Sequence, residues 1–290
     1  MITKLIECPV FEGSANDGTE LSYKILKSHI CDNNNCFFID FFQKNIPTLS
    51  CSGVFVAKRI TEVMTKCENI RLDILNSFNC GSFPLMIGGD HSVAMASIAA
   101  GSETFGIDDY AVIYIDGHAD INTEQTSVTH NIHGMPLASS LGLCSESLQV
   151  GPLKKKIKGD NIFILGARSI DPPEYDIIKE NGVHLFKNNV FIDNDFNHVL
   201  EQLKDKIGNK KVHISFDVDV LDPKVFSSTG YLMKDGLSLE SVLKILDFSF
   251  DNLDVVSMDI VEYNPLMDKD KKDLKTLLSI INVITHKIFD

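Results

Sequence analysis

The sequence predicts an α/β protein in which a parallel β-sheet is covered by helices on both faces. Short, uniformly apolar runs recur along the chain, and they lack the alternation expected of a strand with one face in water. Segments with helical spacing separate these runs, which is the order of elements in a parallel sheet. The runs predicted as strands are FPLMIG at 83–88, AVIYI at 111–115, NIFILGA at 161–167, KVHISF at 211–216 and VVSMDIV at 255–261.

Two segments between the strands have apolar residues at helical spacing. One extends from Ile60 to Ile74 and the other from Phe196 to Ile207. This spacing gathers the apolar side chains on one face of a helix, and that face can pack on the sheet. No Pro-, Gly- or Ser-rich linker divides the chain, so we expect residues 1–290 to form a single domain.

Composition and charge argue against several classes of function. The chain has 290 residues, 44% of them hydrophobic, and its 40 acidic and 27 basic residues give a net charge of -13. A nucleic-acid partner would need clustered Lys and Arg, and the basic run Lys154–Lys158 is predicted to be a solvated turn. No run of about 18 apolar residues occurs, so we expect no membrane span and a cytoplasmic location. Seven cysteines without a C-x-x-C motif are expected to be reduced thiols.

Ionisable side chains follow four of the predicted strands, at the point where each strand ends. In open parallel sheets, ligands bind outside the carboxyl ends of the strands, so we expect these side chains to meet in one site. They are, in chain order, Asp90 and His91, then Asp116, His118 and Asp120, then Asp217 and Asp219, and finally Glu262.

Six of these side chains have the composition of a site for two divalent cations. Buried carboxylates and imidazoles are costly unless they are paired or bound to metal, and four carboxylates would balance two divalent charges. Oxygen-rich ligation without a thiolate favours manganese over zinc, although the pattern leaves the choice of metal open. A bend at Gly117 would help side chains two residues apart to converge. The predicted ligands are His91, Asp116, His118, Asp120, Asp217 and Asp219.

The motifs around these residues resemble those of the ureohydrolase family, which comprises arginases, agmatinases and related enzymes. The similar segments are GGDHS at 88–92, DGHADIN at 116–122, NIHGMP at 131–136, SFDVDVLDP at 215–223 and SMDIVEYNP at 257–265. The N-terminal CPVFEGSANDGTE is similar too, so the likeness covers nearly the whole chain. It implies a three-layer α/β/α fold with a mainly parallel central sheet and a site for two Mn2+ ions.

The resemblance also divides the six predicted ligands between the two ions. It implies that Asp116 and Asp217 bridge the ions. In the family arrangement, one ion is held by His91, Asp116, Asp120 and Asp217, and the other by Asp116, His118, Asp217 and Asp219.

Within the family, the loop from Asp120 to His133 favours L-arginine as the substrate. It is long and polar, like the loop that holds the substrate's α-carboxylate in family members that cleave L-arginine, and agmatine lacks that group. The resemblance assigns the α-carboxylate to Asn122, Thr129 and Asn131, with Ser127 acting through water. It assigns the α-amino group to Asp171 and Glu174.

The reaction implied by the resemblance is hydrolysis of L-arginine to L-ornithine and urea, by attack of a metal-bridging hydroxide on the guanidinium carbon. Glu262 would pair with the protonated guanidinium, Asp120 would pass a proton to the leaving amine, and His133 would shuttle protons to restore the hydroxide. Family members are commonly trimers or larger, so we expect a homo-oligomer, a trimer or a multiple of it.

Tyr231 departs from the family pattern, which usually has a small hydroxyl residue at that position. A ring there could narrow the pocket or swing outward. The alternative functions are an agmatinase or another guanidino or formimino ureohydrolase, a two-metal phosphoesterase, and a non-catalytic binding homologue. The long loop with Asp171 and Glu174 argues against the first, the scarcity of Lys and Arg beside the motifs against the second, and the complete set of candidate ligands against the third.

Overall fold

Eight parallel strands form one sheet in a computed structural model that describes residues 2–30, 36–41, 59–153, 156–191 and 196–289. In chain order the strands are β1 (Thr3–Glu7), β2 (Cys36–Ile39), β3 (Phe83–Ile87), β4 (Tyr110–Ile115), β5 (Ile162–Leu165), β6 (His184–Phe186), β7 (Lys211–Asp217) and β8 (Asp254–Val261). Their order across the sheet is β2-β1-β3-β8-β7-β4-β5-β6, and the strand pairs within the described residues are all parallel.

Helices pack on both faces of this sheet. They are α1 (Ser22–Ile30), α2 (Ile60–Asn79), α3 (Val93–Phe105), α4 (Pro136–Leu141), α5 (Pro172–Asn181), α6 (Phe196–Ile207), α7 (Leu239–Asn252) and α8 (Lys272–Phe289). Helices α1, α6, α7 and α8 share one hydrophobic core with the sheet, and α2 to α5 share the other. The predicted α/β architecture, with a parallel sheet between two helical layers, is therefore confirmed.

The two cores explain why the central strands are apolar without alternation. In β4, Ile113 and Ile115 point into the core beneath α6, α7 and α8, whereas Val112 and Tyr114 point into the opposite core. All four side chains have no exposed surface. Because both faces of the strand are buried, both sets of alternate residues must be able to pack without water.

The five predicted strands and two predicted helices are all present, within a few residues of the expected bounds. The sequence patterns missed β1, β2 and β6, which have five, four and three residues. Strands β2 and β6 lie at the two edges of the sheet and are incompletely buried, so they need no long apolar run. Strands β2 and β6 are each held in the sheet by parallel pairing with one neighbour, β1 and β5 respectively.

One cysteine departs from the expectation of reduced thiols. Cys36 is disulfide-bonded, so that expectation is wrong for this residue. The count and spacing of cysteines along a chain carry no information on which sulfur atoms the fold brings within bonding distance. Cys31 and Cys51 lie outside the described residues. The described free thiols are Cys8, Cys67, Cys80 and Cys144.

The predicted basic turn lies partly within the described residues. Lys158 is exposed and forms an ion pair with Asp108, as expected of a solvated segment, but Ile157 is buried and Lys156 Nζ donates to the Val150 carbonyl at 2.8 Å. Lys154 and Lys155 lie outside the described residues. Among the described helices, none combines the length and apolar character that a membrane crossing requires.

The four strands that carry the predicted site residues are neighbours in the middle of the sheet. Their order is β3-β8-β7-β4, although they are far apart along the chain. Parallel pairing brings their carboxyl ends to the same edge. The topology thus gathers at one place the side chains that the sequence distributes over about 170 residues.

Candidate functional site

Strands β4 and β7 end in the same local turn, which aims alternate side chains at a common point. Asp116 Oδ1 accepts a hydrogen bond of 2.7 Å from the backbone N–H of His118, two residues on. Asp217 Oδ1 accepts one of 2.7 Å from the backbone N–H of Asp219. Because β4 and β7 are paired, the two turns lie side by side and their free carboxylate oxygens converge.

His91, at the start of the segment after β3, lies at the centre of a first cluster of carboxylates. Its Nδ1 atom is 3.0 Å from Asp116 Oδ2, 3.1 Å from Asp217 Oδ2 and 3.3 Å from Asp120 Oδ2. The imidazole has no exposed surface. His91, Asp116 and Asp120 can offer ligand atoms to one metal ion.

A second cluster surrounds His118. Its Nδ1 atom lies 3.0 Å from Asp219 Oδ2 and 3.5 Å from Asp116 Oδ1. Asp116, His118 and Asp219 form a second group with metal-ligand spacing, so Asp116 belongs to both groups. Asp217 belongs to neither group by this spacing, although it contacts His91.

The chemistry of this donor set fits divalent cations. His91 Nδ1 and Asp116 Oδ2 are buried and have no hydrogen-bond partner, because their close contact lacks hydrogen-bond geometry. The ion pairs of the four carboxylates within the described residues are with His91 and His118, and none is with Lys or Arg. Buried carboxylates without a compensating positive charge are expensive, and bound cations would remove that cost.

Electrostatics show how strongly this site attracts positive charge. Burial alone would lower the pKa of both imidazoles, but the carboxylates around them raise the pKa of His91 and of His118 well above the usual value. Burial, with Asp219 and Asp116 nearby, raises the pKa of Asp217. Burial opposes ionisation of Asp219 as well, but His118 holds the pKa of that carboxyl below its usual value. Protons and metal ions would therefore compete for the same atoms.

Two residues of the site adopt the left-handed backbone conformation that is unusual for residues other than glycine. They are Asp120, with φ of 48°, and Glu262, with φ of 65°. The chain bends at Gly117, as predicted, and Asp120 adds a second change of direction. Gly117 is needed for space, since a Cβ atom there would lie 2.7 Å from Arg168 Nη1 and 2.9 Å from Asp219 Oδ1. Such strain persists at sites where the surroundings enforce it.

Tyr114 supports two of the predicted ligands and was missed by sequence analysis. Its hydroxyl donates a hydrogen bond of 2.9 Å to Asp120 Oδ2. Its ring stacks on the His91 imidazole with centroids 4.3 Å apart and an interplanar angle of 9°. Tyr114 lies inside the apolar run of β4, where the sequence gives no sign that a tyrosine does more than fill the core.

A buried chain of hydrogen bonds fixes the orientation of His91 from behind. Ser215 Oγ donates to Asp259 Oδ1 at 2.6 Å and lies 2.9 Å from His91 Nε2. A hydroxyl has one proton, so His91 Nε2 must donate to Ser215, which leaves Nδ1 as the nitrogen that could bind a metal ion in place of a proton. Burial opposes ionisation of Asp259, but His213, whose Nε2 is 3.0 Å from Oδ2, holds the pKa of Asp259 below its usual value.

Glu262, after β8, joins His91 to the loop residue His133. Its Oε1 atom accepts a hydrogen bond of 2.9 Å from the backbone N–H of His91 and lies 3.1 Å from His133 Nδ1. Burial would lower the pKa of His133, but Glu262 raises it to about 9. His133 therefore carries a proton at neutral pH in the free site, rather than titrating near its ordinary pKa.

A cavity of about 700 Å³, counted out to its open mouth, lies above the clusters. Its lining includes most of the predicted substrate contacts, namely Asn122, Ser127, Thr129, His133, Asp171, Glu174 and Glu262. Asn131 is not among the lining residues, since its Nδ2 donates to Tyr231 Oη at 3.1 Å and Tyr231 faces the cavity. The predicted substrate contacts of all these residues stay predictions.

Asp171 and Glu174 have a structural role that sequence analysis did not predict. They form a capping box at the start of α5, in which Glu174 Oε2 accepts from the backbone N–H of Asp171 at 2.8 Å. Glu174 Oε1 accepts from the backbone N–H of Ile121 at 3.0 Å, and Asp171 Oδ2 accepts from Asn122 Nδ2 at 3.0 Å. Burial raises the pKa of Glu174 to about 7. The two residues tie α5 to the loop after β4.

The sheet, with carboxylates and imidazoles gathered at its carboxyl edge, places this chain among the hydrolases of the ureohydrolase class. The model of the family described as "Arginase family" matches residues 14–287. The arginase of Bacillus subtilis strain 168 is 33% identical over 232 residues, which cover 79% of this chain and 78% of that protein. The chain belongs to the arginase family.

Solved structures agree with that assignment. A Bacillus subtilis arginase structure is 29% identical, with a TM-score of 0.84 over 98% of both chains. The structure of Entamoeba histolytica arginase in complex with L-ornithine is 26% identical, with a TM-score of 0.85 over 98% of both chains. The similarity extends over nearly the whole length of the chain, so the fold is shared with these arginases.

Proposed function

We propose that this chain is an arginase, which hydrolyses L-arginine to L-ornithine and urea. Water adds to the guanidinium carbon, the bond from that carbon to the side-chain nitrogen breaks, and the leaving amine gains a proton. The observation that carries the proposal is the pocket, which has carboxylates at its base and neutral hydroxyl donors on its loops. A cationic guanidinium suits the base, and an amino-acid carboxylate suits the loops.

We further propose that two Mn2+ ions occupy the base of the site. His91, Asp116, Asp120 and Asp217 would hold one ion, and Asp116, His118, Asp217 and Asp219 the other. When bound, such a pair would supply the Lewis acidity that lowers the pKa of a coordinated water molecule. Two observations support this proposal. Two groups of residues have metal-ligand spacing and share Asp116, and two buried atoms within them, His91 Nδ1 and Asp116 Oδ2, have no hydrogen-bond partner.

Glu262 would orient the substrate in this proposal. Its carboxylate is held in place by the backbone N–H of His91 and pairs with His133 in the free site. An arriving guanidinium presents a planar fork of N–H donors that suits a carboxylate. It would compete with His133 for Glu262 Oε1, and so would release the imidazole from the partner that raises its pKa.

Asp120 and His133 would move the protons. Asp120 Oδ2 lies against both His91 and Tyr114, so it is fixed close to the reacting centre and can pass a proton to the leaving amine. His133 holds a proton on Nδ1 beside Glu262 and lines the cavity, from which it can exchange protons with solvent. General acid–base groups of this kind contribute about 10²–10⁴-fold to a rate.

The test of this function is a comparison of substrates on the purified protein. Mn2+-loaded protein is given L-arginine, agmatine and guanidino acids, and urea is measured with a chelated sample as control. We expect L-arginine to be cleaved with the highest kcat/KM. Preference for agmatine would favour an agmatinase, the alternative within the family, and activity on phosphate esters alone would favour a two-metal phosphoesterase. Tight binding of L-arginine without turnover would indicate a non-catalytic binding homologue.

Assembly and location also remain proposals. The resemblance to the family supports a homo-oligomer, a trimer or a multiple of it, and a cytoplasmic location. Light scattering on the Mn2+-loaded protein measures the mass of the assembly, for which the chain mass of 32.2 kDa is the unit.

A further inference from the structure

Tyr231 extends across the cavity from its catalytic end to its loop end. Its ring centroid lies 5.1 Å from that of His133 and 6.3 Å from that of His118. Its hydroxyl oxygen, at the far end of the ring, accepts a hydrogen bond of 3.1 Å from Asn131 Nδ2. Of the two orientations that the sequence left open, the structure has the inward one.

The segments on both sides of Tyr231 are anchored, so the ring is presented by a fixed loop. On the N-terminal side, the buried Asp273 carboxylate accepts hydrogen bonds of 2.8 Å from the backbone N–H groups of Ser227 and Ser228. On the C-terminal side, Arg168 Nη2 donates to the backbone carbonyls of Met233 and Asp219, both at 2.8 Å. Arg168 thereby ties this loop to the turn after β7.

Three hydroxyl groups near the loop end of the cavity share one arrangement. Ser127 Oγ accepts from the backbone N–H of His130 at 3.0 Å, and Thr129 Oγ1 accepts from the backbone N–H of Asn131 at 3.3 Å. Tyr231 Oη accepts from the Asn131 side chain. No described residue accepts the proton of any of the three hydroxyls. Each oxygen is thus held by an N–H group, and each proton is left to be donated to a ligand.

An anionic ligand group at this end would be bound by neutral hydroxyl and amide donors. Neither Lys nor Arg lines the cavity within the described part of the chain. Asn131, predicted to hold the substrate carboxylate, is 5% exposed and lies behind the Tyr231 hydroxyl. Asn122 is partly engaged, since one of its two Nδ2 protons goes to Asp171 and its Oδ1 accepts from Thr126.

We infer that the Tyr231 hydroxyl binds the α-carboxylate of the substrate and selects guanidino compounds that carry this anion. The inference rests on the proposed function and adds a substrate-binding residue to it. A hydrogen bond from a neutral hydroxyl to a carboxylate is charge-assisted, and its strength is lost entirely for a substrate that lacks the carboxylate. Asn131 fixes the phenol and aims its proton at the cavity.

The experiment compares Tyr231→Phe with wild type on substrates with and without the carboxylate. Phenylalanine keeps the ring between the two imidazoles and removes only the hydroxyl. We expect KM for L-arginine to rise roughly tenfold or more with kcat little changed, because a hydrogen bond to a charged group contributes about that much to binding. The kcat/KM for agmatine, which lacks the carboxylate, should stay the same.

Inhibition by the product provides a second measurement that does not depend on turnover of the test ligand. L-Ornithine should inhibit Tyr231→Phe roughly tenfold less well than wild type, by the same hydrogen bond. Putrescine, which is L-ornithine without its carboxylate, should inhibit both equally. The matched control is Tyr175→Phe, on α5, because Tyr175 is 40% exposed and its hydroxyl accepts from Lys187 Nζ away from the cavity.

The outcomes separate this inference from the function on which it rests. If the wild-type protein releases no urea from L-arginine, the proposed function fails and this inference fails with it. If wild type cleaves L-arginine and Tyr231→Phe has an unchanged KM, only the inference is overturned. An equal loss of kcat/KM for L-arginine and agmatine also overturns it, because the hydroxyl would then act on pocket shape or on the reaction rather than on the carboxylate.

Discussion

The base of the site and its loop wall are built on different physical principles. The base consists of side chains at the ends of β3, β4, β7 and β8, and it is charged, buried and rigidly held. The wall consists of Ser127, Thr129 and Tyr231, with Val128, on the two loops above the base, and it offers neutral hydroxyls. Asp116 has no exposed surface, whereas Val128 is 87% exposed.

This difference indicates a division of labour. Side chains on strand ends are positioned by the sheet and by packing on both faces, which suits groups whose relative placement determines a reaction. Loop residues tolerate change more readily, which suits groups that select among related substrates. In this chain the predicted metal ligands of the base match the family motifs, and one departure from the family pattern, Tyr231, lies in the wall.

The largest expected effect on urea release comes from removing a carboxylate from the base of the site. Asp120→Ala removes a buried carboxylate that contacts His91, and we expect urea release to fall at least roughly a thousandfold, since metal ions in such sites supply several kcal/mol of transition-state stabilisation. Bound manganese, measured by mass spectrometry, should fall too. The control is Asp254→Ala, an exposed carboxylate at the opposite edge of the sheet. Full activity with one metal lost would overturn the two-metal proposal.

A smaller effect is expected where wall and base meet. His133→Asn removes the imidazole that pairs with Glu262, and kcat should fall about a hundredfold while manganese content stays at the wild-type level. His130→Asn, at an exposed position of the same loop whose left-handed backbone asparagine readily adopts, is the matched control. Parallel loss of metal and turnover in His133→Asn would assign His133 to metal binding instead of proton transfer.

The smallest effect tests whether the base depends on support from the core. Tyr114→Phe keeps the stacking on His91 and removes the hydrogen bond to Asp120, so we expect a loss of roughly tenfold in kcat or in manganese affinity. Tyr23→Phe, on α1, removes a buried hydroxyl that donates to Asp40 Oδ1 at 3.1 Å, away from the site, and it should change neither quantity. Equal effects of the two variants would show a general packing defect.

The parallel sheet and the residues at the base of the site could be predicted from the amino-acid sequence. Uniformly apolar runs show that both faces of a strand are buried, and the ionisable residues that follow them mark the carboxyl edge. Both signals are local, because they depend on neighbours within a few positions along the chain. The motifs then identify the family, since their order and residue types are specific.

The side chains that support these residues, and those that line the cavity, could be identified only from the folded structure. The sequence pattern of Tyr114 is that of a core residue, but its hydroxyl donates a hydrogen bond to Asp120. Asp171 and Glu174 are predicted to contact the substrate, and in the structure they also cap α5. The partners of Tyr231 and of Ser215 lie 100 and 124 positions away along the chain. Contacts across such distances depend on how strands and loops are placed in space, and no periodicity or local spacing encodes them.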